Sequence, residues 1–249
     1  MLKKERHAFI LRQVDLHNKV LSSNLSSEIQ VSEDTIRRDL QELSDEGRII
    51  KVHGGALSRS FNYFYDQGNN IYSISLKKII AQKTAKLIKD GMTVMTSGGT
   101  TIQEIARALP PTLKATFITG SIPAVLEYMQ HPGLEIILIG DKVSKSAKIT
   151  VGGEAISRIR QIRADLCILG INAIDIEHGV TDNDWDVVQI KKAMIESARK
   201  VICVSISEKI NSFQPFQVCK LDDIDTLITE SDPDSPLLKP YEEAGIEVL

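Results

Sequence analysis

The sequence lacks any long apolar run. No apolar segment approaches the roughly 20 residues that a membrane-spanning helix needs, and charged residues are spread through the first segment, MLKKERHAFILRQVDLHNKV. The apolar fraction of 42% and the charged fraction of 25% are those of an ordinary soluble globular protein. We therefore expect a cytoplasmic protein with no membrane span and no signal peptide.

Cysteine is also scarce. The chain has three cysteines, an odd number, and their spacing does not match a metal site. Cys167 and Cys203 lie inside the apolar runs DLCILG and KVICVS. We expect buried, reduced thiols, as in a cytoplasmic protein, and neither a metal nor a cofactor.

A strong excess of positive charge, which would indicate nucleic-acid binding, is missing as well. The net charge is −3, and residues 1–60 hold ten Lys and Arg against nine Asp and Glu, so this segment is +1 and the remainder −4. Any contact with DNA must therefore depend on the local placement of Arg and Lys.

Residues 1–58 have the pattern of three helices followed by two short strands. The third helix is the clearest, because Ser32 stands at an N-cap position, acids follow in the first turn and Gly47 ends the helix. A first helix carries an apolar stripe at Ile10, Leu11, Val14 and Leu16, and a second is predicted over 23–29. The segment RIIKVHGGALS then predicts two strands around a Gly-Gly turn. Together these elements predict a winged helix-turn-helix domain.

Residues 59–73 have no hydrophobic period and are predicted to be a linker. We expect the linker aromatics to pack onto the domain that follows; they are Phe61, Tyr63, Phe64 and Tyr65. A base-stacking platform is the alternative, but no Lys or Arg is interleaved with them.

Residues 74–249 alternate apolar, β-branched runs with helical patterns. The predicted strands are MTVMT, ATFIT, LEIILIG, DLCILG, KVICVS, DTLIT and IEVL. The predicted helices between them are 76–89, 101–109, 122–130, 154–162, 187–200 and 237–244. This order predicts an α/β domain with a mostly parallel, Rossmann-like sheet.

The segment SEDTIRRDLQELSDEGRIIKVHGGAL resembles the DeoR family of bacterial transcriptional regulators. The blocks SGGTTIQEIARAL, VGGEAISRIRQIRADLCILGINAID and IKKAMIESARKV are similar to successive parts of that family's sensor domain. The resemblance implies a sensor fold like that of ribose-5-phosphate isomerase and a phosphorylated sugar or related metabolite as effector. It also implies a repressor that binds operator DNA as a homo-oligomer and controls sugar metabolism.

The third helix is predicted to enter the major groove of DNA, which is wide enough to admit it. The residues placed to contact bases or phosphates are Ser32, Glu33, Thr35, Arg37 and Arg38 on the helix, with Lys51 and His53 on the wing. Arg37 and Arg38 are about 100° apart around the helix, so we expect one to approach bases and the other phosphate. An ordinary charged helix face is the alternative.

The turn at Ser97–Thr101 leaves a strand and enters a helix, which is a favourable place for an anion. Gly98 and Gly99 let backbone N–H groups approach it, and the hydroxyls of Ser97, Thr100 and Thr101 add donors. An ordinary tight turn with a helix cap is the alternative. The resemblance adds four further residues to the effector site, namely Lys77, Ser121, Lys191 and Lys209.

At several positions the sequence departs from the family's ligand motifs. Thr96 stands where the family usually has Asp, Gly120 replaces Asn, and Asp141 replaces Gly. Ile206 stands in place of Asp, and Asn69 and Ser73 fall where Arg and Asn are usual. The residues that would contact a phosphate are thus better retained than those that would contact sugar hydroxyls. Either the effector differs from the usual sugar phosphate, or its binding is weaker.

Catalysis is the main alternative to sensing. A sugar-phosphate isomerase needs a carboxylate base, and the carboxylates expected at Thr96 and Ile206 are missing. The remaining acids include Glu104, Asp141 and Asp182, which we expect on solvated surfaces. We expect His178 to be a turn residue and not a catalytic base. We therefore predict a regulator and no enzyme; a helix-turn-helix domain that binds protein instead of DNA is a third possibility.

Overall fold

The computed structural model describes residues 1–59 and 71–249. The predicted linker aromatics and Asn69 lie outside these residues. The chain divides into two compact units, Met1–Tyr72 and Ser73–Leu249. Within the described ranges, no helix is both long and apolar enough to cross a bilayer.

The N-terminal unit contains the three predicted helices and a small antiparallel sheet. The helices are α1 (Lys3–His17), α2 (Ser22–Ile29) and α3 (Glu33–Asp45). The strands are β1 (Lys19–Leu21), β2 (Ile49–Val52) and β3 (Gly55–Ser58), in the order β1-β3-β2. The β2–β3 hairpin confirms the predicted wing, whereas β1 was not predicted because three residues are too few to show a period.

The ends of α3 follow the chemistry of its sequence. The Ser32 side chain accepts a hydrogen bond from the backbone N–H of Thr35 at the N-cap. Ile36, Leu40 and Leu43 are buried, and they pack in one core with residues of α1 and α2. That core fixes which face of α3 remains exposed.

The C-terminal unit is built on a seven-stranded sheet in which every neighbouring pair is parallel. Its strands, in sheet order, are β15 (Glu247–Val248), β14 (Thr226–Ile228), β12 (Ala198–Val204), β9 (Ala164–Gly170), β4 (Thr93–Thr96), β5 (Ala115–Thr119) and β6 (Leu134–Leu138). All seven correspond to predicted strands. The carboxyl ends of parallel strands meet at one edge, where ligands of such folds bind.

Six helices among the described residues of this unit accompany the sheet. They are α4 (Ile74–Ala85), α5 (Thr100–Ala108), α6 (Ile122–Tyr128), α7 (Gly153–Arg160), α8 (Trp185–Glu196) and α9 (Lys239–Glu243). The prediction that α8 runs to residue 200 was wrong. Ser197 ends the helix, and the strand β12 already begins at Ala198.

Two small antiparallel sheets were not predicted. One is the hairpin of β7 (Lys142–Ser144) and β8 (Ile149–Val151). The other contains β10 (Ala173–Asp175), β11 (Gly179–Asp182) and β13 (Phe216–Cys219). These strands lie outside the apolar runs that indicated the parallel strands, so the sequence gives no comparable signal for them.

The three cysteines are free thiols buried in the C-terminal unit, which confirms that part of the prediction. Burial raises the pKa of the Cys219 thiol to about 12 and raises the pKa of Cys203 well above its usual value. Both thiols therefore stay protonated at physiological pH.

Candidate DNA interface and candidate effector site

Two arginines on the exposed face of α3 differ in their side-chain contacts. Arg37 forms ion pairs along the helix with Asp34 at 3.0 Å and with Glu33 at 3.5 Å. Arg38 is also exposed, and within residues 1–59 and 71–249 its side chain makes no hydrogen bond or ion pair. Arg38 is thus free to contact a ligand, whereas Arg37 must first leave its acidic neighbours.

The first turn of α3 holds the predicted Ser32 and Thr35 together. Their hydroxyl oxygens lie 2.9 Å apart, so one hydroxyl donates to the other. The Thr35 side chain is half-buried, and Glu33 is exposed beside it. Ser32 therefore acts first as the cap that starts the helix, and any contact with DNA would come in addition.

The wing is attached to α3 through Lys51. Its Nζ donates a hydrogen bond of 2.9 Å to Oε1 of Gln41 on the exposed side of the helix. His53 lies at the exposed β2–β3 turn. The predicted wing residues and the exposed helix face therefore belong to one surface.

The buried Asp39 joins α3 to α1. Arg6 donates to both Asp39 carboxylate oxygens, with Nη2 to Oδ1 at 2.9 Å, and Nε2 of His7 lies 3.1 Å from Oδ1. Burial raises the Asp39 pKa, but these partners outweigh it and leave the pKa below its usual value. Asp39 of α3 is thus held by Arg6 and His7 of α1.

Asp39 also lies near Glu42, and with His7 the two acids are close enough to hold a metal ion. Because the Arg6 guanidinium already engages both Asp39 oxygens, this cluster is an ion-pair network between two helices.

Gly170, at the carboxyl end of β9, joins the parts of the candidate effector site. Its N–H donates to the Ser97 hydroxyl at 2.9 Å. A Cβ atom on residue 170 would lie 2.9 Å from the Gly98 carbonyl oxygen, so only glycine allows this approach. The turn at Ser97–Thr101 is therefore fixed directly against the end of β9.

Lys191 binds the other side of the same glycine. Its buried Nζ donates to the Gly170 carbonyl at 2.9 Å and to Oδ2 of Asp182 at 2.7 Å. Burial raises the pKa of Asp182, but the charge and hydrogen bond of Lys191, with two backbone N–H groups, outweigh it and lower the pKa. Asp182 is therefore ionised at physiological pH.

Lys209 approaches the next carbonyl of the chain. Its Nζ lies 3.4 Å from the oxygen of Ile171. Burial, together with the positive charges of Lys77 and Lys191, lowers the pKa of Lys209 to about 7. Lys77, Lys191 and Asp182 are thus close enough to Lys209 for their charges to act on it.

The N-terminus of α5 begins at the N-cap Gly99, with φ +111°, and no side chain of residues 1–59 or 71–249 caps it. The hydroxyls of Thr100 and Thr101 are half-buried and, among the described residues, make no hydrogen bond. The turn therefore offers backbone N–H groups and two hydroxyls to an anion.

The remaining predicted residues of this edge have structural partners. The Ser121 hydroxyl caps α6 by accepting from the N–H of Ala124 at 3.4 Å. Thr96 does not contribute to the turn, because its hydroxyl accepts a hydrogen bond of 3.1 Å from the buried Tyr128. The contact of Tyr128 with Thr96 was not predicted; the signal in the sequence is a tyrosine in a short, mostly apolar helix.

Gly120 and Thr150 account for one departure from the family's motifs. A Cβ atom on residue 120 would overlap the Thr150 hydroxyl oxygen. That hydroxyl donates to the Ile139 carbonyl at 2.7 Å and is therefore fixed. The Thr150 hydroxyl thus occupies the space that an asparagine side chain at position 120 would need.

Two acids that we expected on solvated surfaces are buried, so that expectation was wrong. Asp182 is paired with Lys191, and Glu104 is paired with Arg107 of the same helix. His178 lies in the β10–β11 turn, where Nδ1 is 2.7 Å from Oδ1 of Asp175. Neither buried acid is a free carboxylate base.

Comparison with known proteins gave matches over nearly the whole chain. Residues 6–61 match the family described as DeoR-like helix-turn-helix domain, and residues 73–231 match DeoR C terminal sensor domain. The HTH-type transcriptional repressor GlcR of Bacillus subtilis is 31% identical, over 100% of this chain and 96% of that protein. The glycerol-3-phosphate regulon repressor of Haemophilus influenzae is 32% identical, over 94% and 92%. A structure of ribose 5-phosphate isomerase A from Methanocaldococcus jannaschii aligns with 56% of this chain and 55% of that one, at 17% identity and a TM-score of 0.41.

The Lys191–Asp182 pair gives a stability prediction. We expect Lys191→Met to lower the free energy of unfolding by about 3–5 kcal/mol, because it leaves a buried carboxylate without its partner. The double variant Lys191→Met/Asp182→Asn should lose less free energy of unfolding, because it leaves no unpaired carboxylate. Urea unfolding followed by circular dichroism measures both, and Lys192→Met, at the neighbouring position of α8, is the matched control. A single variant as stable as this control would contradict the role of the pair.

Proposed function

Since the chain belongs to the DeoR family of transcriptional regulators, we propose that α3 reads operator DNA and that the carboxyl edge of the sheet binds a phosphorylated sugar or related metabolite. The observation that carries the effector part is the approach of Lys191 and Lys209 to the carbonyl groups of Gly170 and Ile171, at the end of β9, together with the Gly99 N-cap of α5. The matched relatives are named as regulators, and the chain is a regulator, not a sugar-phosphate isomerase. Such a protein acts where DNA is, in the cytoplasm.

On DNA, α3 would lie in the major groove with Arg38 as its principal contact. Arg38 has no partner to give up among the described residues, whereas Arg37 must leave Glu33 and Asp34. Exposed pairs of this kind contribute only about 0–1 kcal/mol, so Arg37 can still turn to a phosphate. Lys51 and His53 would contact the adjacent backbone or minor groove.

In the effector site, the phosphate would occupy the N-terminus of α5. The backbone N–H groups and the hydroxyls of Thr100 and Thr101 would bind its oxygens, and the lysines would supply the neutralising charge. Ser97 and Ser121 already have partners, so they would position the turn more than contact the ligand. Binding would be linked to the DNA affinity of the chain.

We further propose that the protein is a homo-oligomer and that a second copy covers β6. This strand forms one edge of the sheet, and Ile137 and Leu138 on it are 42% and 49% exposed. Leu126 on α6 and Met129 directly after this helix add exposed apolar surface, and α6 packs beside β6. Exposed edges usually carry charged residues, Pro or a bulge; β6 has no Pro, and its one charged residue is Glu135. An apolar edge is self-complementary, as a two-fold interface requires, and two copies match an operator with two half-sites.

The first prediction concerns operator binding. On DNA selected by the wild-type protein from a random-sequence pool, Arg38→Ala should weaken binding by about 1–3 kcal/mol. The wild-type affinity should fall steeply as salt rises, since phosphate contacts release counterions. Gel shifts at several salt concentrations measure both effects. Arg199→Ala, which removes an exposed arginine of the other unit, is the control. If no DNA is enriched, or if a folded Arg38→Ala/Arg37→Ala protein binds normally, the assignment of α3 fails.

The second prediction concerns the effector. A thermal-shift screen with phosphorylated sugars should find a compound that raises the melting temperature, because binding to the native state stabilises it. The affinity should fall between pH 6.5 and pH 8.5, because Lys209, whose pKa is about 7, loses its proton over this range. The phosphate itself becomes more negative over the same range and would give the opposite trend. Lys209→Met should remove the decline, and Lys220→Met, an exposed site, should keep it. If no phosphorylated compound raises the melting temperature, the proposed phosphate site is refuted.

The third prediction concerns assembly. Light scattering after size-exclusion chromatography should give a mass above 27.6 kDa for the wild type and a smaller assembly for Leu138→Lys, because a charge would be buried at the interface. Ile176→Lys, at another exposed apolar position, should keep the wild-type mass. A monomeric wild type would refute the oligomer, and an unchanged Leu138→Lys would refute this interface.

A further inference from the structure

Helix α3 carries more negative than positive charge. Its 13 residues include five acids and two arginines, which gives the helix a net charge of −3. Asp39 is buried against Arg6, but the other four acids are at least partly exposed. DNA itself carries one negative charge about every 1.7 Å along its axis. A helix of this charge in the major groove therefore needs positive charge from neighbouring elements.

The wing supplies positive charge on one side of α3. Lys51 donates to Oε1 of Gln41 at 2.9 Å, and Nε2 of Gln41 donates to Oδ1 of Asp45 at 2.7 Å. Gln41 follows Arg38 by three residues, which places it about 60° to one side of Arg38 around the helix axis. Lys51 is therefore held on that side of the exposed face.

The first turn of α1 supplies positive charge on the other side. Nζ of Lys3 lies 2.5 Å from Oε2 of Glu42. Glu42 follows Arg38 by four residues, which places it about 40° to the opposite side of Arg38 and about one turn further along the helix. Lys3 and Lys51 therefore flank Arg38 from opposite sides of α3.

Both lysines at the start of α1 are accessible. The ion pair of Lys3 with Glu42 is itself exposed, with 57% and 45% of the two side chains accessible, and such pairs are weak and screened by salt. Lys4 is exposed as well, and within residues 1–59 and 71–249 its side chain makes no hydrogen bond or ion pair. Glu5, the acid of this turn, accepts a hydrogen bond from the N–H of Leu2. The turn can therefore offer two ammonium groups to an anion.

The width of the major groove brings both flanks of α3 near phosphate. An α-helix with its side chains is about 10–12 Å across, and the groove is about 12 Å wide. Groups on opposite sides of a helix in the groove therefore lie next to the two sugar-phosphate backbones that border it. Lysine is a suitable residue for such contacts, since its flexible chain carries a compact charge.

We propose that the first turn of α1 is a DNA-phosphate site: with α3 in the major groove, Lys3 and Lys4 bind the backbone on one side, and Lys51 of the wing binds the backbone on the other. This site depends on the proposed function, in which α3 reads operator DNA. On binding, Lys3 exchanges the Glu42 carboxylate for a phosphate, so part of the negative charge of α3 is left facing solvent.

The test compares two duplexes of equal length at several salt concentrations: the DNA that the wild-type protein selects from a random-sequence pool, and a scrambled version of it. Lys3→Met/Lys4→Met should weaken binding to both duplexes by the same factor, on the order of tenfold, because phosphate contacts carry no sequence information. The slope of log affinity against log salt concentration should become shallower by about two, one for each lost contact. Arg38→Ala should instead weaken binding mainly to the selected duplex.

Three control variants separate charge, position and packing. Lys3→Arg/Lys4→Arg keeps both charges and should keep the slope. Lys78→Met/Lys86→Met removes two exposed lysines of the C-terminal unit and should change neither affinity nor slope. Glu42→Gln breaks the ion pair between the helices but keeps both lysines, so it should bind both duplexes more tightly. Weaker binding of Glu42→Gln would mean that the ion pair itself matters, and that result would overturn the phosphate site.

The outcomes distinguish this site from the proposed function. If Lys3→Met/Lys4→Met keeps the wild-type slope, or if it loses affinity only for the selected duplex, the phosphate site is refuted. The role of α3 then still stands, provided that Arg38→Ala weakens binding to the selected duplex. If the wild-type protein selects no DNA at all, the proposed function is refuted and the phosphate site with it.

Discussion

The arrangement of the candidate effector site depends on the amino group of Lys191. It holds the Gly170 carbonyl and the Asp182 carboxylate at the same time, while the N–H of Gly170 is bound by Ser97. One glycine is thereby fixed from both sides, and the α5 turn is fixed relative to the lysines. A buried charge pair is stable only when its remaining hydrogen bonds are satisfied. Here the N–H groups of Asn183 and Asp184 satisfy the other Asp182 oxygen.

Two positions that depart from the family's ligand motifs are closely packed. The Thr96 hydroxyl is bound by Tyr128, and the space beside Gly120 is filled by the Thr150 hydroxyl, which bonds the Ile139 carbonyl. Positions that had merely lost their partners would leave gaps or unsatisfied polar groups. Of the two alternatives that the sequence left open, a different effector or weaker binding, this packing favours a different effector.

The sequence was sufficient for features that depend on local chemistry. The parallel strands are continuous apolar runs, and the N-cap at Ser32 needs only its own helix. It was insufficient where the partner is distant in the chain. The pairing of Asp39 with Arg6 spans 33 residues, and the hydrogen bond from Ala155 to Asp141 spans 14. Because a charged residue in a loop or on a helix looks the same whether solvated or paired, Asp182 and Glu104 were misjudged.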